Sequence, residues 1–94
     1  MKIEDKSRRE ERWAYIEVQR AYMIYAMELA EVKRIPAGAR RFPEEFYLVS
    51  GRSAGEGQYP LGLADFRDRD QAIREAQGHA RTIGATFVDL TGEG

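Results

Sequence analysis

Hydrophobic side chains in the first third of the chain recur at alternating intervals of three and four residues. One series consists of Tyr15, Val18, Tyr22, Tyr25, Leu29 and Val32. This spacing is typical of one face of an α-helix, because each helical turn takes about 3.6 residues. No proline or glycine interrupts the segment before Pro36. The pattern therefore predicts one long helix from Arg8 to Arg34.

The expected start of this helix is marked by Ser7, which is followed three residues later by Glu10. Serine and glutamate at this spacing form a capping box, in which each side chain accepts a backbone N–H of the first helical turn. We expect residues 1–7 to be disordered and the helix to begin at Arg8.

A second series at the same spacing lies on the opposite side of the expected helix. It comprises Trp13, Ile16, Arg20, Met23, Met27 and Ala30, of which the first five are the candidates for self-association. At 100° per residue the two series are roughly 160° apart, so one small sheet cannot cover both. The pattern leaves open which series faces inward. We expect the first to face the protein's own sheet and the second to join two copies in a homodimer.

The middle of the chain has the alternating and turn-forming composition of a pair of strands. Strands are expected over Glu45–Arg52 and Tyr59–Phe66, and the glycine-rich loop 53–58 separates them. A second helix is expected after them. Asp68 stands three residues before Gln71 at its start, and Gly84 is the expected C-terminal cap.

A last strand is expected over Ala85–Leu90, which contains three large apolar residues. The predicted fold class is therefore α+β. A long N-terminal helix precedes a β-β-α-β unit over residues 45–90, and the unit forms a three-stranded sheet in a two-layer domain.

The composition fits a single small domain spanning residues 1–94. Hydrophobic residues make up 43% and charged residues 33% of the chain, which is too apolar for a disordered protein and too polar for a membrane protein. The longest apolar stretch, Ala21–Met27, is far shorter than the roughly 20 residues that cross a bilayer. The first residues lack the apolar segment of a secretion signal, and there is no cysteine. We expect a cytoplasmic protein with no membrane partner.

Residue types that carry catalysis are few. His79 is the one histidine of the chain, so no second imidazole can share a metal ion with it. The spacing of Ser50 and Ser53 from His79 does not indicate a nucleophile with its base. The glycines near residue 55 lead into a strand, whereas a phosphate loop leads into a helix. We expect no enzymatic activity, no metal site and no cofactor.

These observations favour a non-catalytic protein–protein interaction module that self-associates through the long helix. A second protein partner is expected at a surface formed by Arg40, Arg41, Arg52, Glu56 and Tyr59. Small, charge-dense, cysteine-free domains of this kind include accessory or inhibitor proteins of phages and mobile elements, of which anti-CRISPR proteins are an example.

The alternative is a nucleic-acid-binding regulator. Its arginine clusters stand at the two ends of the expected helix and consist of Arg8, Arg9, Arg12, Arg40 and Arg41. Such clusters can neutralise phosphates without reading sequence. The net charge of −1 provides no overall attraction to nucleic acid.

Overall fold

The computed structural model describes residues 13–55 and 59–92. The elements, in chain order, are strands β1 (Trp13–Ala26), β2 (Leu29–Arg34), β3 (Phe46–Ser53) and β4 (Leu61–Phe66), helix α1 (Arg69–Ile83) and strand β5 (Thr86–Asp89). The protein thus combines one helix with one sheet in its described parts.

The predicted long N-terminal helix is wrong, and the fold class that contained it is wrong with it. From Trp13 to Arg34 the chain forms β1 and β2, two antiparallel strands joined at Met27 and Glu28. The first five residues of the expected helix and its Ser7 cap lie outside the described residues, as does the segment 1–7 that was expected to be disordered.

The reason for the error is the way in which β1 is buried. Its apolar residues Ile16 and Val18 face the helix side of the sheet, and the fully buried Ala21 points to the other side. A strand with apolar residues on both faces supplies two opposed series that also fit helical spacing. Its β-branched and aromatic side chains favour the strand.

β1 is the central strand of the sheet. Along one edge it pairs antiparallel with β3, where Val18 lies opposite Val49. Along the other edge its second half pairs antiparallel with β2, and its first half pairs in parallel with β5. The strand order is β2-β1-β3-β4, with β5 beside the first half of β1. The sheet therefore has five strands where three were predicted.

Elements after residue 45 lie close to their predicted positions. The three expected strands correspond to β3, β4 and β5. At the start of α1 the side chain of Asp68 accepts the N–H of Gln71 at 3.1 Å. At its end Gly84 has a φ of 76°, a left-handed conformation that glycine adopts without steric penalty. Both predicted caps are confirmed.

The core lies between α1 and one face of the sheet. Ala72, Ala76 and Ala80 form the buried stripe of the helix, and their small side chains let the helix approach the strands closely. Opposite them lie Ile16 and Val49 with their strand neighbours. Two residues predicted for self-association, Ile16 and Trp13, therefore belong to the core.

Trp13 has a specific place in this packing. A Cβ atom added to Gly51 would lie 2.5 Å from the indole ring, which is closer than real Cβ atoms come to neighbours. Glycine at residue 51 thus leaves the space that Trp13 fills, and the large side chain packs within its own subunit.

Arg20 is buried as well. Its Nε donates to Glu45 Oε2 at 2.7 Å and its Nη2 to Glu45 Oε1 at 3.0 Å. The same guanidinium donates to the carbonyl oxygens of Ala39 and Arg40 at 2.8 and 2.7 Å. Arg20 was predicted to lie in a contact between copies, and its charge is instead neutralised inside the subunit.

Candidate functional site

The most distinctive surface is a two-stranded ribbon that extends beyond the rest of the sheet. Pairing between β1 and β3 ends at Ala21 and Phe46, whereas pairing between β1 and β2 continues to Ala26 and Leu29. We call residues 22–33 the arm. An isolated pair of strands is marginally stable by itself, so its side chains need packing partners.

The arm carries large apolar side chains in solvent. Tyr25 and Leu29 are each 76% exposed, Val32 is 38% exposed and Met27 is fully exposed. At the base of the arm Tyr22 stacks on Phe42 with ring centroids 4.7 Å apart. Tyr25 and Val32 share one face of the ribbon, and Leu29 lies on the other face. Large exposed apolar side chains concentrated on one element mark an interaction surface. The arm is therefore the leading candidate for a binding surface.

The tip of the arm has an unusual backbone. Met27 occupies the first turn position with a φ of 57°, where hairpins normally place glycine or asparagine. A residue with a Cβ costs roughly 1 kcal/mol there. The chain thus presents a large, flexible apolar side chain at a position where backbone geometry favours glycine.

β2 forms an outer edge of the sheet. In the pairing of β1 with β2, Ala30, Val32 and Arg34 lie opposite Tyr25, Met23 and Ala21. Ala26 and Leu29 close the two-residue turn as a hydrogen-bonded pair, and the two kinds of pair alternate from there. The three pairs just named are therefore non-hydrogen-bonded pairs. The amide and carbonyl groups of Ala30, Val32 and Arg34 therefore point away from β1. No described strand lies on that side of β2.

The exposed edge also carries an alternating pair of charges. Glu31 and Lys33 lie two residues apart on one face of β2, and Lys33 Nζ is 3.2 Å from Glu31 Oε1. Both side chains are largely exposed. The order of charges along the edge is acidic and then basic, with Val32 between them on the opposite face.

A hollow of about 190 Å³ lies where the arm meets the body of the protein. It is lined by Met23, Tyr25, Pro43, Glu44, Phe46 and Arg67. Met23, which was predicted for self-association, is half-buried at this place. Apolar side chains of the arm and a pair of opposite charges from the body thus share one concave surface.

Of the five residues predicted for self-association, Met27 is the one that is fully exposed and Met23 is half-exposed. Tyr25, Leu29 and Val32 were assigned to the inward-facing series, yet they lie on the surface. Reading the segment at the two-residue period of a strand, with a turn at residues 27–28, would have placed them on an outer ribbon.

The residues predicted for a second partner are not brought together. Arg41 Nη1 lies 3.2 Å from Glu45 Oε2, and the Arg40 guanidinium lies 5.7 Å from the ring centroid of Phe42, both ahead of β3. Arg52 lies at the far end of β3. Eight residues of strand span roughly 25 Å, so these arginines lie at opposite ends.

The two loop residues of that predicted surface, Glu56 and Tyr59, differ in whether the structure describes them. Tyr59 is 90% exposed, and Glu56 lies outside the described residues. Arg8, Arg9 and Arg12, which the nucleic-acid alternative needs, also lie outside them. That alternative stays a prediction.

The sheet face opposite α1 holds a buried polar cluster. Arg52 Nη2 lies 2.5 Å from Glu17 Oε2, and its guanidinium stands 5.1 Å from the ring centroid of Tyr15. Arg34 Nη2 donates to Ser50 Oγ at 3.1 Å. Glu17 and Ser50 are almost fully buried. The Arg52–Glu17 ion pair joins β3 to β1, and the Arg34–Ser50 hydrogen bond joins β2 to β3. Arg34 Nε and Arg52 Nε are buried without a hydrogen-bond partner among the described residues.

His79 lines a second hollow, of about 250 Å³, between α1 and β4. Glu75 lies one helical turn before it, and the other lining residues are apolar: Val49, Leu63, Ala64 and Phe66. Within residues 13–55 and 59–92, no three His, Asp or Glu side chains are grouped so that they could hold a metal ion. The hollow therefore offers a mostly apolar wall with two titratable groups.

Comparison with protein-family models, curated proteins and solved structures found no match to this chain. In the described part of the chain, α1 lacks the length and apolar character of a membrane span. The exposed arm is thus the feature from which function can be argued.

Proposed function

We propose that this protein is a non-catalytic interaction module that self-associates through its arm. The observation that carries the proposal is the exposure of Tyr25, Met27, Leu29 and Val32 on a ribbon that lacks a covering layer among the described residues. The second copy docks on this ribbon, so the contact between copies is formed by the β1–β2 hairpin.

The energetics support an association of moderate strength. Complete burial of a Leu, Val or Met side chain contributes about 1.5–3 kcal/mol. The loss of translational and rotational freedom opposes association by about 4–15 kcal/mol. With several arm side chains contributed by each copy, we expect a dissociation constant on the order of micromolar.

The shape of the arm supports the same conclusion. A two-stranded ribbon becomes stable when further strands or a covering layer pack on it. Docking onto another protein through such a strand pair combines backbone hydrogen bonds with apolar contacts. The hollow beside Met23 and Phe46 provides a place for a side chain of the partner.

Sedimentation equilibrium across micromolar to near-millimolar concentration tests the proposal. We expect the wild type to show a concentration-dependent mass above that of the monomer. The double variant Met27→Ser, Leu29→Ser removes the two most prominent apolar side chains of the arm, and we expect it to weaken association by about tenfold or more.

Tyr59→Ser is the matched control, because it removes a side chain that is 90% exposed elsewhere on the surface. We expect its association to equal that of the wild type, with unchanged circular dichroism for all variants. A wild type that remains monomeric throughout, or a control that weakens as much as the arm variant, would remove the proposal.

The cysteine-free sequence suits a reducing compartment, and we place the protein in the cytoplasm. A small module that acts by covering a partner's surface suits an accessory or inhibitor protein of a phage or mobile element. Co-purification with a tagged arm variant as the control would identify its second protein partner.

A further inference from the structure

We infer that two copies join edge to edge through their β2 strands. The two β2 strands run antiparallel, and Val32 of one copy lies opposite Val32 of the other across the two-fold axis. The two sheets then form one continuous ten-stranded sheet, with both α1 helices on the same face. This inference rests on the proposed self-association and specifies its geometry.

The choice of edge follows from the regularity of the strands. The pairing of β2 with β1 runs without a register shift from Ala21–Arg34 to Ala26–Leu29. At the opposite edge of the sheet, the pairing of β4 with β3 is irregular. Val49 of β3 lies opposite Ala64, whereas the next residue, Ser50, lies opposite Gly62. Bulges of this kind discourage pairing with another chain, whereas a regular exposed strand permits it.

The register follows from the backbone and the charges. The outward-pointing groups of Ala30, Val32 and Arg34 must meet the same groups of the partner. With Val32 opposite the partner's Val32, Glu31 lies opposite the partner's Lys33, and Lys33 lies opposite the partner's Glu31. Oppositely charged residues at directly opposed positions stabilise antiparallel strands.

Neighbouring registers are unfavourable. A shift of the axis to Glu31 places the two copies of Glu31 opposite each other, and a shift to Lys33 does the same for the two lysines. Like charges at directly opposed positions destabilise strand pairing. The register centred on Val32 avoids both repulsions and pairs residues 30–34 of β2 with the same residues of the partner.

Apolar contacts agree with this register. Val32 lies beside Met23 of β1 on the face opposite Glu31. Across the axis, these two residues meet the partner's Val32 and the partner's Met23 in one row. At the end of the paired region Leu29 lies beside the partner's chain where β2 ends, and the tip with Met27 then lies against the body of the second copy.

Disulfide trapping tests the register directly. The natural chain has no cysteine, so a single introduced cysteine can bridge only two copies. Opposed residues in an antiparallel pair have Cα atoms about 5.5 Å apart, within disulfide range. We expect Val32→Cys to give a covalent dimer on mild oxidation.

Ala30→Cys is the matched control on the same edge. In the proposed register the two copies of residue 30 are four positions apart along the strand, or roughly 13 Å, which is beyond disulfide range. We expect this variant to remain uncrosslinked. Crosslinking of Ala30→Cys at the rate of Val32→Cys, or none in Val32→Cys, overturns the register.

Charge exchange provides an independent test by sedimentation. Glu31→Lys alone and Lys33→Glu alone place like charges across the axis, and we expect each to weaken self-association by about tenfold or more. Mixing the two variants restores opposite charges at every position, so we expect a heterodimer. The double exchange Glu31→Lys, Lys33→Glu should recover the wild-type homodimer.

The outcomes separate the two proposals. If the wild type self-associates and the Met27→Ser, Leu29→Ser variant does not, while mixing the charge variants restores nothing, then the arm is the interface and the β2 register is wrong. If the wild type is monomeric at every concentration, both proposals fail.

Discussion

At the scale of single residues, the buried ion pair between Arg20 and Glu45 is the feature that the hydrophobic pattern of the sequence did not indicate. Arg20 interrupts an apolar series, and its partner Glu45 lies 25 residues further along the chain. Both side chains are nearly inaccessible, at 4% and 9% exposure. The hydrogen bond from Arg20 lowers the pKa of Glu45, and the same bond raises the pKa of Arg20. No local signal in the sequence links these two residues, so the pair could not be predicted.

We expect Glu45→Ala to lower the free energy of unfolding by about 3–5 kcal/mol at neutral pH, because the charge of Arg20 stays buried without its carboxylate. The pKa of folded Glu45 lies below its ordinary value of 4.5. The stabilisation is therefore fully present above that value and is lost as the pH falls through the lowered pKa. Urea unfolding at neutral and acid pH measures both effects.

Asp70→Ala is the control for this experiment, since it removes an exposed carboxylate that lies near Arg69 and away from β2. We expect a change below about 1 kcal/mol for an exposed pair. A similar loss of unfolding free energy in the two variants would contradict the stabilising role of the Arg20–Glu45 pair. So would a difference in unfolding free energy between the wild type and Glu45→Ala that stays the same at acid pH.

At the scale of elements, local signals decided which parts of the fold were predictable. Asp68 and Gly84 cap α1 through contacts within a few residues, so the sequence indicates them directly. The β1–β2 hairpin has no Gly or Asn at its turn, where Met27 and Glu28 stand instead. Without that turn signal, two strands were interpreted as one helix, and the exposed side chains of the arm were assigned to the interior.

The same turn supports a prediction about stability and binding. We expect Met27→Gly to raise the free energy of unfolding by about 1 kcal/mol, because glycine adopts the positive φ without a Cβ clash. The variant should also self-associate more weakly, since the apolar tip is removed. Urea unfolding of the monomer and sedimentation measure the two effects separately.

Glu28→Gly is the matched control, because Glu28 is the other turn residue and does not have a positive φ. Among the described non-glycine residues, only Met27 and Glu44 do. We expect glycine at residue 28 to bring no gain in stability. A gain of equal size in both variants would show that the backbone at Met27 is not strained.

At the scale of the whole molecule, the arrangement of strands lay beyond the reach of sequence patterns. β5 pairs in parallel with the first half of β1, on the same edge that β2 occupies further along. Pairing of this kind depends on which backbone edge remains unoccupied after the rest of the chain has folded. β3, β4 and β5 were predicted from local composition, β1 and β2 were not, and the order of the strands in the sheet was left open.

The parallel strand pair has a consequence for the way in which the chain folds. Ile16 lies opposite Phe87, so these partners are separated by roughly 70 positions in the sequence. Contacts between such distant segments slow folding, because a long loop must close before any energy is gained. During synthesis the edge of β1 beside Tyr15–Val18 stays open until β5 emerges from the ribosome. An unpaired strand edge is a template for incorrect pairing, so we expect mispairing to be most frequent during that interval.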